Sequence, residues 1–208
     1  MTRAEPVDDE AWEAMAAMIA DRGVPLARLA DLLDALDPER RPRVVRRLGR
    51  SLQRTLYERA EGHAPLALVD LVPPSRADLE PVRHLGRNTL PAFTIFEKRF
   101  CRPPDCDPAA PSRLAGYNHQ AMAPVTGPGY FVAVEDAGKR EVLVDYRRLP
   151  ETVPPGWPPV RSNERGIARF VYGFMVDRLR RVSEHVTIGS AARNGRDLGS
   201  YFVLARET

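Results

Sequence analysis

The chain has almost no lysine, little cysteine and no long apolar run. Of its 31 basic residues only Lys98 and Lys139 are lysines, leaving 29 arginines. With its many alanines and 20 prolines, this bias reads as the codon usage of a GC-rich bacterial genome. Arginine abundance alone is therefore no sign of phosphate binding, and a formal charge of +3 is too small to call for a polyanionic partner. No stretch of about 18 apolar residues exists, so no membrane-spanning helix is expected. The start, MTRAEPVDDEAWEAMAAMIADRG, is acidic and amphipathic. It lacks the basic head and apolar centre of a secretion signal, so the expected location is cytoplasmic.

The two cysteines, Cys101 and Cys106, lie in CRPPDC with no second Cys or His pair at matching spacing, which excludes a four-ligand zinc site. A redox pair across Pro103-Pro104 is the functional alternative to two plain buried thiols. Nucleotide-binding loops are absent too. There is neither a Walker pattern nor G-x-G-x-x-G, and no G-x-S-x-G elbow marks a hydrolase.

What is present is globular: 43% hydrophobic and 28% charged residues, enough for one domain with an accessory segment. Residues 8–60 carry helical spacing in three runs: Trp12, Met15, Ala16 and Ile19; then Leu26, Leu29, Leu33 and Leu36; then Val45, Leu48, Leu52 and Leu56. Gly23 stops the first run, Pro25 starts the second, and Asp37-Pro38-Glu39 caps the third. Arg43, Arg47, Arg50 and Arg54, with Arg46 nearby, share the back of the third run. They read either as a phosphate-binding face or, as favoured here, as an ordinary solvated one. A nucleic-acid partner is not expected.

Pro73-Pro74 marks the boundary, giving a helical segment over 1–72 and a sheet domain over 73–208 that carries one or two helices of its own. A short helix is expected over Arg76–Leu85. Strand alternation follows in LPAFTIFEKRFCR, where Thr94, Phe96, Lys98 and Phe100 oppose Phe93, Ile95, Glu97 and Arg99. Further strands are read in RLAGYNHQAM, GPGYFVAVED and EVLVDYRRLP, the last two joined by a turn at Ala137–Lys139. In EVLVDYRRLP, Val142, Val144 and Tyr146 share one face. The proline-rich stretch PETVPPGWPPV excludes a central strand or helix. A helix is expected through Ile167, Phe170, Phe174, Arg178 and Leu179. Gly173 leaves a strand open for Arg169–Met175. Alternation then begins near Val182, turns at Asn194-Gly195 and returns as Tyr201–Leu204. The fold class is thus α+β: a small helical segment followed by a mainly antiparallel sheet or closed barrel.

In Phe96-Glu97-Lys98-Arg99-Phe100 and in VDRLRRVSEHVTIGSAARNGRDLGSYFVLAR, the chain resembles a bacterial and fungal lipocalin-like domain associated with GXWXG domains. The family pattern prefers Gly at the position of Glu97. The resemblance covers the C-terminal 115 or so residues in order of elements. It implies a calycin-type barrel with a ligand cavity, and no fixed catalytic residues.

Candidate ligand-binding residues are Tyr117, His119, Tyr146, Arg147, His185 and Tyr201, polar groups placed where such a barrel would close. They suit a small apolar or amphipathic molecule with one anionic or hydrogen-bonding end. A one-residue slip would turn any of them outward. Haem through His185 or His119 needs a neutral imidazole in an apolar pocket, and nothing in the spacing requires it; no cofactor is assigned. Ser183, His185 and Asp177 do not form a triad by spacing, and Glu97 with Asp145 or Glu184 is more simply explained by cross-strand ion pairs. The leading expectation is a binding protein. The alternatives are an interaction module, with Phe93, Phe131, Tyr146, Phe170 and Phe202 filling the barrel and a protein partner on the N-terminal helices, and an isomerase-type enzyme using polar groups of the cavity.

Overall fold

The computed structural model describes residues 6–120 and 127–207. The first five residues and the end of the expected strand RLAGYNHQAM, 121–122, lie outside these. Four helices open the described chain: α1 (Pro6–Ala20), α2 (Leu26–Ala35), α3 (Arg40–Val45) and α4 (Arg50–Arg59), with a single turn, α5 (Leu68–Leu71), behind them. The expected third helix is therefore two. Its residues Arg46–Gly49 leave the helical path, and Gly49 takes an extended backbone at φ −81° and ψ 175°. The break lets both pieces lie against the sheet. Asp37 does turn the chain as expected, its Oδ1 accepting the backbone N–H groups of Glu39 and Arg40.

The arginines behind those helices are engaged within the molecule. Arg43 and Arg40 pair with Asp8, Arg47 pairs with Asp9, Arg54 with Glu58, and Arg50 donates to the carbonyl of Gly199. These contacts join α3 and α4 to α1 and the barrel rim, so no free phosphate-binding row is formed.

Eight antiparallel strands follow and close in sequence order, β1 pairing with β8. They are β1 (Val82–Asn88), β2 (Ile95–Cys101), β3 (Leu114–His119), β4 (Tyr130–Asp136), β5 (Glu141–Asp145), β6 (Met175–Arg181), β7 (Val186–Arg193) and β8 (Arg196–Arg206). Closure removes the sheet edges that an open meander would expose. Close coiling demands glycine where rings cross the interior. A Cβ at Gly116 would sit 2.4 Å from the Phe131 ring, and one at Gly189 would sit 2.3 Å from Phe202.

Three sequence expectations are corrected. Arg76–Leu85 is no helix: turns occupy its first half, and β1 begins at Val82. The helix expected through Ile167–Leu179 is only one turn, α6 (Ala168–Val171). Phe174 then adopts φ 59° and reverses the chain into β6 at Met175. Arg169–Met175 is thus split between the two readings. Strand alternation does not start at Val182 either; Val182–His185 is the turn between β6 and β7. The turn at Asn194-Gly195 is present, both residues having positive φ.

Two cores result. Outside the barrel, Met15, Ile19, Leu29, Leu33, Val45, Leu48 and Leu56 pack on the outer faces of β7 and β8 through Val186, Ile188, Val203 and Ala205. The leucine stripe of residues 26–56 is therefore covered by the protein's own sheet. Inside the barrel, Phe100, Leu114, Phe131, Val144, Leu179 and Leu204 fill one end, which α5 closes with Leu68 and Leu71. His84 points into this end, its Nε2–H donating to the carbonyl of Leu71 at 3.0 Å and its ring 4.9 Å from that of Phe100. Burial pushes its pKa down to about 3, so it stays neutral.

Candidate functional site

The opposite end of the barrel is open. The β1–β2 loop, the chain through α6 and the β7–β8 turn surround a cavity of about 440 Å³. Its walls are Phe96, Val171, Tyr172, Met175, Ala191 and Phe202. At the mouth stand Phe93 and Phe170, 58% and 79% exposed, well above what buried aromatics show. Arg193 borders the opening and holds α6 in place by donating to the carbonyls of Phe170 and Val171. Its Nε is buried without a partner.

The cavity floor is polar. Lys98 and Asn118 face each other across β2 and β3, and Asp177 comes from β6. Tyr146 follows β5, and its backbone N–H donates to the carbonyl of Met175. Strand alternation delivers all of these inward, at the level above the aromatic plug. Lys98 donates to Asn118 Oδ1 at 3.0 Å, to Asp177 Oδ2 at 3.0 Å and to the Tyr146 hydroxyl. Asn118 Nδ2 donates to the same hydroxyl at 2.9 Å, which in turn donates to Asp177 Oδ2 at 3.1 Å. All three ammonium protons are thus used, and the hydroxyl is saturated. Asp177 Oδ1 is left without a partner.

Lys98 is 1% and Asp177 2% exposed, so both charges are almost wholly desolvated. Burial pushes the Lys98 pKa down and the Asp177 pKa up, each against the pull of the other. Burial also raises the Tyr146 phenol well above its ordinary value. The aromatic faces of Phe131, Tyr146 and Phe202 lie 5.1, 5.0 and 4.9 Å from Lys98 Nζ, close enough to offset part of the lost hydration. Tyr146 itself stacks on Tyr172, with centroids 5.5 Å apart and planes at 15°. The floor is neutral as a whole, yet it holds a buried amine, a carboxyl and a phenol within one hydrogen-bonded unit.

Of the residues singled out from sequence, Tyr146 is in this floor. Tyr201 borders the cavity, but its ring packs outward, 5.5 Å from Tyr57 on α4. Tyr117 and His119 lie on the outer face of β3, where Tyr117 meets Trp157 of the proline-rich crossing at 4.7 Å. Their neighbours Asn118 and Gln120 line the cavity instead, the one-residue offset that strand periodicity imposes. Arg147 is turned out onto Asp145. His185 sits in the β6–β7 turn at the closed end, beside Arg206. Neither imidazole considered for haem therefore reaches the cavity, and among the described residues no cluster of metal-ligand type occurs. Glu97 pairs with Arg83 of β1 and with Arg99 of its own strand. Both cysteines are buried free thiols, and burial pushes Cys101 up to about 12, which makes it a poor nucleophile.

Lys98, Asp177 and Asn118 were missed as site residues. A signal existed for Lys98: it is one of two lysines in an arginine-rich chain, and it lies between Phe96 and Phe100 on an otherwise apolar face. Comparison of the chain with known protein families, with curated proteins and with solved structures finds no match.

Proposed function

We propose that the protein binds one small, mainly apolar molecule in the open end of its barrel, as a lipocalin-like carrier would. The observation that carries this reading is the cavity itself, with a volume inside the range of about 300–1,000 Å³ typical of small-molecule sites. Its aromatic and aliphatic wall would supply most of the affinity through burial of ligand surface. The covered leucine stripe argues against the helices as a docking surface, because among the described residues no large exposed hydrophobic falls in that segment.

The polar end of the ligand is uncharged on this reading. Lys98 is already neutralised by Asp177, so a carboxylate at the floor would be desolvated without a free cation to meet it. A hydroxyl or carbonyl end avoids that cost. Calorimetric titration with decanol and decanoate tests both statements. Decanol should bind one to one, and decanoate roughly tenfold or more weaker, a difference of about 1.4 kcal/mol. Absence of saturable decanol binding would remove the carrier reading, and tighter decanoate binding would remove the uncharged end.

One observation favours an enzyme as the second reading. A carboxyl with a raised pKa beside a phenol and an amine at a cavity floor is equipment for proton transfer. Turnover of a bound ligand would separate catalyst from carrier.

A further inference from the structure

Lys98 is the most unusual residue of the interior. The chain meets nearly every other need for a cation with arginine, including buried ones such as Arg41, Arg102 and Arg180. At the cavity floor it uses lysine. The difference is chemical: a guanidinium keeps its proton and is no nucleophile, whereas a buried amine can give its proton up and react. Lys98 also borders the cavity directly, with a proton acceptor 3.0 Å away in Asp177.

We propose that Lys98 forms an imine with the carbonyl carbon of an apolar aldehyde or ketone held in the cavity. The inference rests on the binding reading above and names the ligand class for that same site. The Lys98 ammonium passes one proton to Asp177 Oδ2. The freed lone pair attacks the carbonyl carbon, a C–N bond forms, and the π electrons of the C=O bond move onto oxygen. A proton shifts from the nitrogen to that oxygen, giving a neutral carbinolamine. Asp177 then returns its proton to the hydroxyl, the C–O bond breaks, and water leaves. The nitrogen lone pair closes the C=N bond as a protonated imine. The net change is ammonium plus carbonyl giving iminium plus water, so no oxidant or other reactant is needed. The positive charge stands beside the Asp177 carboxylate at the start and at the end, and both groups are neutral in the carbinolamine between. Tyr146 and Asn118 position the pair by holding Nζ from two sides.

A purely structural Lys98, tying β2 to β3 and β6, would give none of this chemistry. The test is reductive trapping on the full chain. The protein is incubated with decanal, treated with cyanoborohydride, and read by intact mass and peptide mapping, with decanol binding measured in parallel by calorimetry. The expected result is a single decyl adduct on Lys98, formed roughly tenfold or more faster than on exposed Lys139, because the cavity gathers the aldehyde at the amine. Excess decanol should suppress it. A Lys98→Arg variant that still binds decanol should lose the adduct. The mapping on the unmodified chain stands without that variant if it fails to fold. Decanol binding with Lys98 unlabelled, or labelled no faster than Lys139, overturns the imine and leaves the carrier intact. No binding of either compound and no adduct overturns both.

Discussion

The two ends of the barrel interior are built from the same eight strands and the same alternation, yet one is solid and the other hollow. At the solid end, Phe100, Phe131, Leu114 and Leu204 meet across the axis, and α5 supplies a lid of Leu68 and Leu71. At the hollow end the inward positions include Ala191 and Ser200, too small to meet across the space. Besides the aromatics of its wall, two more, Phe93 and Phe170, stand at the rim largely exposed to solvent. Between the ends lies the layer of Lys98, Asn118, Tyr146 and Asp177. A single-purpose structural core has no use for such a layer, since an apolar replacement of a buried ion pair is often as stable or more so. On the proposed binding reading, the contrast separates residues that hold the barrel from residues that would meet a bound molecule.

The largest effect expected from breaking this contrast is at the solid end. Phe131→Ala should cost about 4 kcal/mol of unfolding free energy in urea, since its ring contacts both Phe100 and Tyr146 and leaves a cavity the barrel cannot collapse. Next comes the polar layer. Asp177→Leu alone should cost about 3 kcal/mol by stranding the Lys98 charge, while the pair Lys98→Met with Asp177→Leu should recover most of that loss. Denaturation of the two variants side by side reads the difference; equal losses would mean the layer is structural after all.

A smaller effect separates the ends by pH. His84 is held neutral with its pKa at about 3, whereas the unfolded chain takes up the proton near 6.5. The stabilisation is full above pH 6.5 and is lost as pH falls towards 3, at about 1.4 kcal/mol per unit. Stability at pH 5 should thus be about 2 kcal/mol below that at pH 7 from this group. Carboxylate pairs add a slope of the same sign, so the sharper readout is a shallower slope in His84→Gln than in the parent chain. The smallest stability change belongs to the rim. Phe170→Ala should alter stability by no more than about 0.5 kcal/mol, while weakening decanol binding several-fold in the same preparation.

Much of the barrel was legible because strand periodicity is a strong signal when one face is buried. Phe96, Lys98 and Phe100 share a face in the sequence pattern and in the structure, and so do Val142, Val144 and Tyr146. The failures came where local geometry overrides pattern. Phe174 at positive φ cuts short a helix that apolar spacing favoured, and a turn over Val182–His185 continues the alternation of β7 without being strand. The site was less legible than the fold. Tyr117 and His119 differ from the cavity-facing Asn118 by one residue, and in a strand one residue inverts inside and outside. His185 is expected from sequence on a strand where the barrel closes, but the meander puts it in a turn at the plugged end. Asp177 had no signal of its own until pairing of β6 with β5 set it opposite Val144.

The most direct test of the account is to fill the hollow. Ala191 lies on β7 opposite Asp177 with its side chain on the cavity wall, and Ala191→Trp would occupy the space above the polar layer without touching the plug. With thermal unfolding confirming an intact barrel, calorimetry should show one-to-one binding of decanol to the parent chain and binding weakened roughly tenfold or more in the variant. Equal binding by both proteins would contradict the assignment of the open end as the ligand site.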